Sequence, residues 1–210
     1  MATKVDICNM ALALLGDTAT VTSIDPPEGS AQADHCARFY PIALRDLLVA
    51  FPWHFATKRS KAAKFVGEVL GGEDGEAYYA LPSDCLRVLS VESKLNPGIK
   101  RCYSVERSNK QVVIVTDAIE PIIKYITSEV GESGFPSYFT SALVHRLAAL
   151  LAGPLVPGSS GIELANSQLK QYDYFLGLAC STDAREGLRI EKYRPRYLGD
   201  AQPEMNNAIY

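Results

Sequence analysis

Apolar positions recur at helical spacing near both ends of the chain, and between these blocks they switch to the alternation and β-branched runs of strands. From about Lys4 to Leu15, Val5, Cys8, Leu12 and Leu15 share one face, and Gly16 suits the position just past a helix end. Residues 17–29 read as a loop punctuated by Asp25-Pro26-Pro27 and Gly29. A second helix is expected from Ser30, whose hydroxyl can cap it. Its stripe is Ala33, Cys36, Ala37, Tyr40, Leu44, Leu47, Leu48 and Phe51, with Asp34, Arg38, Arg45 and Asp46 off the stripe. Pro41 lacks an N–H, so a kink or a division is predicted there.

Pro52 ends that helix, and the chain's one tryptophan follows at once. Phe51, Trp53 and Phe55 place three large rings within five residues, which predicts a core anchor rather than an exposed hot spot for a partner. His54 is expected at the helix end with its ring nitrogens satisfied by backbone. Lys58, Arg59, Lys61 and Lys64 form a short basic run. Such a run is ordinarily a solvated face; its functional reading is contact with an acidic neighbour or a DNA backbone. The glycine- and acid-rich interval from Gly67 to Glu76 reads as a surface loop.

Strand signals begin at Tyr78. Leu86 to Val91 is β-rich, Ile99 to Val105 and Gln111 to Thr116 suggest a hairpin around 106–110, and Ile122 to Thr127 is a further strand set off by Pro121. Helices resume after Gly134. Phe139, Leu143, Leu147, Leu150 and Leu151 share a face, small apolar residues fill the rest, and only His145 and Arg146 are strongly polar, so this helix belongs at the centre of a bundle. Gly153-Pro154 should end it, and Ser160 with Glu163 fits a capping box that opens the next helix. Periodicity fades from Arg185, leaving basic residues among tyrosines and prolines. The pattern thus predicts a mainly α protein with a small antiparallel β insertion: a helical bundle from 1–66 and 134–184, a sheet over 77–128, and an extended C-terminal tail over 185–210.

A 210-residue chain that is 47% hydrophobic and 21% charged has the composition of a folded globular protein. Its formal net charge of −3 shows no overall basic character suited to nucleic acid, although a local basic patch is compatible with it. Five cysteines, odd in number and without a CxxC pair, predict free, mostly buried thiols from a reducing compartment. The three histidines fall in no zinc-binding pattern, and phosphate loops and the GxSxG elbow are absent. No metal, cofactor or catalytic residue is therefore assigned. Acidic pairs such as Glu73 with Glu76 or Asp84 with Glu92 are the only residues that suggest acid–base chemistry. No apolar run reaches the ~18 residues of a membrane helix, and no secretory leader is expected at the N-terminus.

Several blocks recur together in a known order. They are Ile7-Cys8-Asn9-Met10-Ala11-Leu12 with Leu15-Gly16; Ala33, Cys36 and Tyr40; Arg45-Asp46 and Leu48; Phe51-Pro52-Trp53-His54-Phe55-Ala56-Thr57-Lys58; Leu81-Pro82-Ser83-Asp84-Cys85-Leu86-Arg87-Val88; Phe135-Pro136; and Leu147-Ala148. In their order and spacing the chain resembles the head-to-tail adaptors of short-tailed phages, the tail tubular protein A family, over most of residues 5–180. The C-terminal Arg196-Tyr197-Leu198-Gly199-Asp200 departs from that family's usual tail. The resemblance implies a structural protein of the virion neck, assembled in the host cytoplasm. It would form a ring, by analogy a dodecamer, beneath the portal protein. A nozzle protein of the tail tubular protein B type would dock below, DNA would pass through without specific binding, and no membrane is involved. The alternative is muralytic activity, attributed to some members of the family. For the tail, the expected partner-binding residues are Arg185, Arg189, Arg194, Arg196, Tyr197 and Tyr210, because arginine and tyrosine are favoured at interface hot spots.

Overall fold

A computed structural model describes residues 2–18, 20–65, 77–108 and 111–186. Four helices carry the first core: α1 (Lys4–Leu14), α2 (Ala31–Ala50), α3 (Ser137–Leu155) and α4 (Ser159–Glu186). Local chemistry sets their ends. Thr3 and Asp6 form a reciprocal capping box at α1. Past its other end Gly16 adopts φ 77°, while Gly16 N–H and Asp17 N–H bond back to the carbonyls of Ala13 and Leu12, closing the helix with a Schellman turn. Ser30 caps α2 through Ala33 N–H.

Pro41 does not divide α2, which runs unbroken for 20 residues. Pro41 lies on the solvent side, where water can serve the carbonyl it leaves without a donor. Tyr40, Ala43, Leu47 and Leu48 continue the buried stripe beyond Cys36. Burial along the whole stripe outweighs the one missing hydrogen bond.

Helix α3 packs against α1, α2 and α4. Its two strongly polar residues tie these neighbours together. His145 Nδ1 lies 2.7 Å from Gln168 Oε1 with its ring stacked on Phe175, while Arg146 reaches Asp46 at 2.7 Å and its guanidinium lies over Tyr172. The last helix begins at Ser159, so Ser160 is already inside it rather than at its cap. The turn between α3 and α4 needs glycine. A Cβ on Gly161 would stand 2.1 Å from the Val156 carbonyl oxygen and 3.2 Å from that of Ala152. Gly161→Ala is expected to force the two helices apart and cost about 1–3 kcal/mol in a urea unfolding experiment, the usual scale of overpacking. An unchanged midpoint would show that the turn yields freely.

Among the described residues, eight strands form two antiparallel four-stranded sheets. The strands are β1 (Thr57–Lys61), β2 (Ala63–Lys64), β3 (Ala77–Ala80), β4 (Cys85–Ser93), β5 (Asn96–Arg101), β6 (Ser104–Ser108), β7 (Gln111–Thr116) and β8 (Pro121–Thr127). Their orders are β1-β8-β4-β5 and β2-β3-β7-β6. The chain changes sheet four times, at Ala62, at 81–84, at Cys102–Tyr103 and at 117–120, so the expected single strand from Ile99 to Val105 is two strands in different sheets. The hairpin partner of β7 is β6, with Val105 opposite Ile114. A second core lies here, built from Val91, Ile114, Ala118, Ile123 and Tyr125. The first sheet also meets the helices: Ile126 is buried in the helical core, and Leu86 and Leu89 pack against it.

The fold is therefore α+β, not mainly α with a small insertion. About 48% of the described residues are helical and 26% are strand. The strands that patterning missed, Thr57–Lys61 and Ala63–Lys64, carry lysine and arginine where an alternating apolar face was sought. Both lie at sheet edges, where charge protects against edge-to-edge pairing and erases the period-2 signal.

Candidate functional site

The region with most constraint is the junction where α2, β1, β4, α3 and the end of α4 meet. Phe51 leaves the helix in extended conformation, and Pro52 prevents its continuation. Trp53 turns inward and is 1% exposed, with its indole N–H donating to the Leu47 carbonyl at 2.8 Å. This bond satisfies a carbonyl in the last turn of α2. Around the indole stand Phe51 at 5.1 Å, Phe55 at 5.8 Å and Phe139 at 5.1 Å between centroids, the last edge-on at 86°. Phe135 closes the group at 4.9 Å from Phe139. Phe51 and Phe55 are half-buried at the margin of this cluster.

His54 points the other way and binds α4. Its Nδ1 lies 2.7 Å from Asp183 Oδ2, and its backbone N–H donates to the same carboxylate at 3.0 Å and 3.2 Å. The partner is thus a carboxylate, not the backbone expected from sequence. Asp183 is only 4% exposed. It fixes α4 to the chain just after Pro52, one turn before the described helix ends. Arg185 follows on the exposed side of that turn. Arg189, Arg194, Arg196, Tyr197 and Tyr210 lie outside the described residues, as do Glu73 and Glu76. A small cleft of about 250 Å³ beside Trp53 is lined by Tyr138, Thr182, Asp183 and Glu186.

Asp84, between β3 and β4, is a second hub. Its carboxylate accepts from Thr127 Oγ1 at 2.7 Å, Lys58 Nζ at 2.9 Å and the Tyr125 hydroxyl at 3.1 Å, while its carbonyl accepts from Ser128 N–H at 2.8 Å. The Thr127 bond, then Lys58 and Tyr125, hold its pKa at about 2, below the ordinary 3.8 and against the opposing effect of burial. Asp84 and Glu129 in turn raise the Lys58 pKa. Burial and the Asp84 charge push the neighbouring Cys85 thiol up to about 11. Glu92, at the far end of β4, accepts from Gly98 N–H and faces Arg59 instead. The structure therefore does not assemble Asp84 and Glu92 into a pair across a cleft.

A cleft of about 730 Å³ lies between α2 and the sheets, with Arg45, Pro82, Arg87 and Tyr103 on its wall. Arg87 is held there by donating to the Val49 carbonyl at 3.0 Å, in the last turn of α2. Among the described residues, no three histidine, cysteine, aspartate or glutamate side chains converge as a metal would need, and no helix is long and apolar enough to cross a membrane. Cys8 and Cys36 are buried, Cys85 and Cys180 half-buried and Cys102 exposed, all as free thiols.

Sequence reasoning did not find Asp183 or the role of Asp84. Each acts on residues far along the chain, 129 positions for Asp183 to His54 and 43 for Asp84 to Thr127, and a lone aspartate carries no spacing signal. No protein-family model matches the chain, and no curated protein matches it.

Proposed function

We propose that the protein is a structural head-to-tail adaptor of a short-tailed phage. It would assemble as a ring beneath the portal, bind a nozzle protein on its other side, and let DNA pass. One observation carries this reading. Three of the blocks behind the resemblance lie far apart in the chain, yet they touch. Phe55 of the aromatic block meets Phe135 edge-on with centroids 6.1 Å apart, and Lys58 of that block pairs with Asp84 of the Leu81–Val88 block. Their shared task is to hold helices and sheets in one body, as a ring subunit under load requires.

In this reading, the segment from Arg185 onward is the arm that reaches the portal, and the Asp183–His54 contact holds the end of α4 to the body. The decisive experiment is electron microscopy of the protein mixed with purified portal. Ring-shaped density added to the portal is expected, and a chain lacking residues 189–210 should fold but fail to attach. A full-length protein that never associates with portal would overturn the reading.

A further inference from the structure

The basic run of the sequence lies in a sheet, and pairing gives it companions that are distant in the chain. In β1 and β8, Arg59 stands directly opposite Lys124, and Lys61 opposite Ile122. Across β4, Glu92 is opposite Ile122 and also opposite Lys100 of β5. Facing residues share one side of a sheet. That side therefore carries Arg59, Lys61, Lys124 and Lys100, with Arg87 where it approaches α2. The other side, with Ile123, Tyr125 and Val91, is the second core.

The acids nearby do not neutralise this face. Glu92 lies 3.9 Å from Arg59, but it is also engaged by Gly98 N–H. Glu120 lies near Lys61 and is held by Lys94 at 2.8 Å. Beyond the strand pairing of their backbones, the side chains of Lys61, Lys100 and Lys124 make no hydrogen bond or ion pair with any described residue. Two cations directly opposite one another weaken a sheet. A chain whose net charge is −3 has acidic residues enough to avoid that arrangement.

We infer that this outer sheet face is a contact surface for the phosphate backbone of duplex nucleic acid. Partner chemistry follows from what the face carries and what it omits. Arg59 and Lys61, two residues apart, are separated by about 6.6 Å along the strand, and Lys124 widens the strip to two strands. The result is a row of long cations, exposed at Arg59, Lys61 and Lys100 and half-buried at Lys124, suited to a line of phosphates. No aromatic ring stands among them, so single-stranded bases have no stacking platform. On this side Ile126 is buried under the helices, and apart from the half-buried Ile122 no large apolar side chain is left to supply the centre that a protein interface needs. Contacts to phosphate alone carry no sequence information, so the binding is non-specific and strongly dependent on salt. This inference stands apart from the adaptor reading. Failure to bind portal leaves it intact, and failure to bind DNA leaves the adaptor reading intact.

The test uses the full chain and a fluorescent 30-base-pair duplex of arbitrary sequence, with anisotropy followed from low to physiological salt. Wild type is expected to bind weakly, on the order of 10⁻⁴–10⁻⁶ M at physiological salt, and more tightly as salt falls. The double variant K61E/K124E should lose roughly tenfold or more in affinity, and its salt slope should be shallower by about 2. K61Q/K124Q should lie between the two. K170E, an exposed charge reversal on α4, should bind as wild type does. Urea unfolding of each variant separates lost binding from lost folding. Wild type that does not bind duplex at low salt overturns the proposal, as does K61E/K124E binding like wild type. Displacement of the duplex by polyglutamate at lower concentration than by unlabelled duplex also overturns it, in favour of an acidic protein partner.

Discussion

Trp53→Ala should lower the unfolding free energy by about 3–5 kcal/mol, the largest effect expected of any single truncation in this chain. Three contributions add. The indole is 1% exposed, so its removal forfeits burial of the largest side chain in the protein. The space left is walled by Phe139, edge-on at 5.1 Å, and by Phe51 and Phe55. Rings held by several elements collapse poorly into a cavity. The Leu47 carbonyl also loses the indole donor at 2.8 Å in the last turn of α2. Because the ring touches both α2 and α3, urea unfolding should stay cooperative while its midpoint falls. Trp53→Phe should recover part of the packing but not the hydrogen bond, and so lie between. A loss below about 1 kcal/mol for the alanine variant would contradict the packing described here.

The same neighbourhood shows what a sequence can and cannot disclose. Where one face of an element is apolar over several turns, periodicity is legible. Helices α1 and α2, with the cap at Ser30 and the glycine at 16, follow from composition and spacing. The buried strands β7 and β8, rich in valine and isoleucine, are equally clear. Edge strands are not. Thr57–Lys61 reads as a solvated basic run because its backbone, rather than its side chains, does the pairing. Its partner β8 is more than sixty residues away, and no local pattern announces that register. Pro41 misleads for the opposite reason, since a local rule is overridden by burial on both sides of it. The polar hubs are the least legible. Asp84 and Asp183 matter through partners brought to them by the finished fold, so their roles depend on tertiary geometry and not on neighbours in the chain.

Asp84 supports the second large effect. Asp84→Ala should cost about 3–4 kcal/mol, chiefly because Thr127 and Tyr125, both nearly inaccessible, would each lose an acceptor at about 1–3 kcal/mol per buried donor. Lys58 is partly exposed and keeps Glu129 at 3.0 Å, so its loss adds little. The carboxylate is 12% exposed and titrates at about 2 instead of 3.8, a difference equivalent to about 2 kcal/mol in favour of the ionised folded state. Its sign is definite. A depressed acid contributes fully above its unfolded value of 3.8 and loses that contribution as pH falls toward 2, because the unfolded chain takes up the proton first. Asp84→Asn keeps the shape and an acceptor oxygen but cannot titrate. Unfolding free energies measured for wild type and Asp84→Asn at pH 5.5 and near pH 2 should therefore differ in their pH dependence, with wild type losing about 2 kcal/mol more over the interval. Parallel pH profiles would mean that the Thr127, Lys58 and Tyr125 contacts do not favour the ionised carboxylate, and the junction would then owe its stability to the aromatic cluster alone.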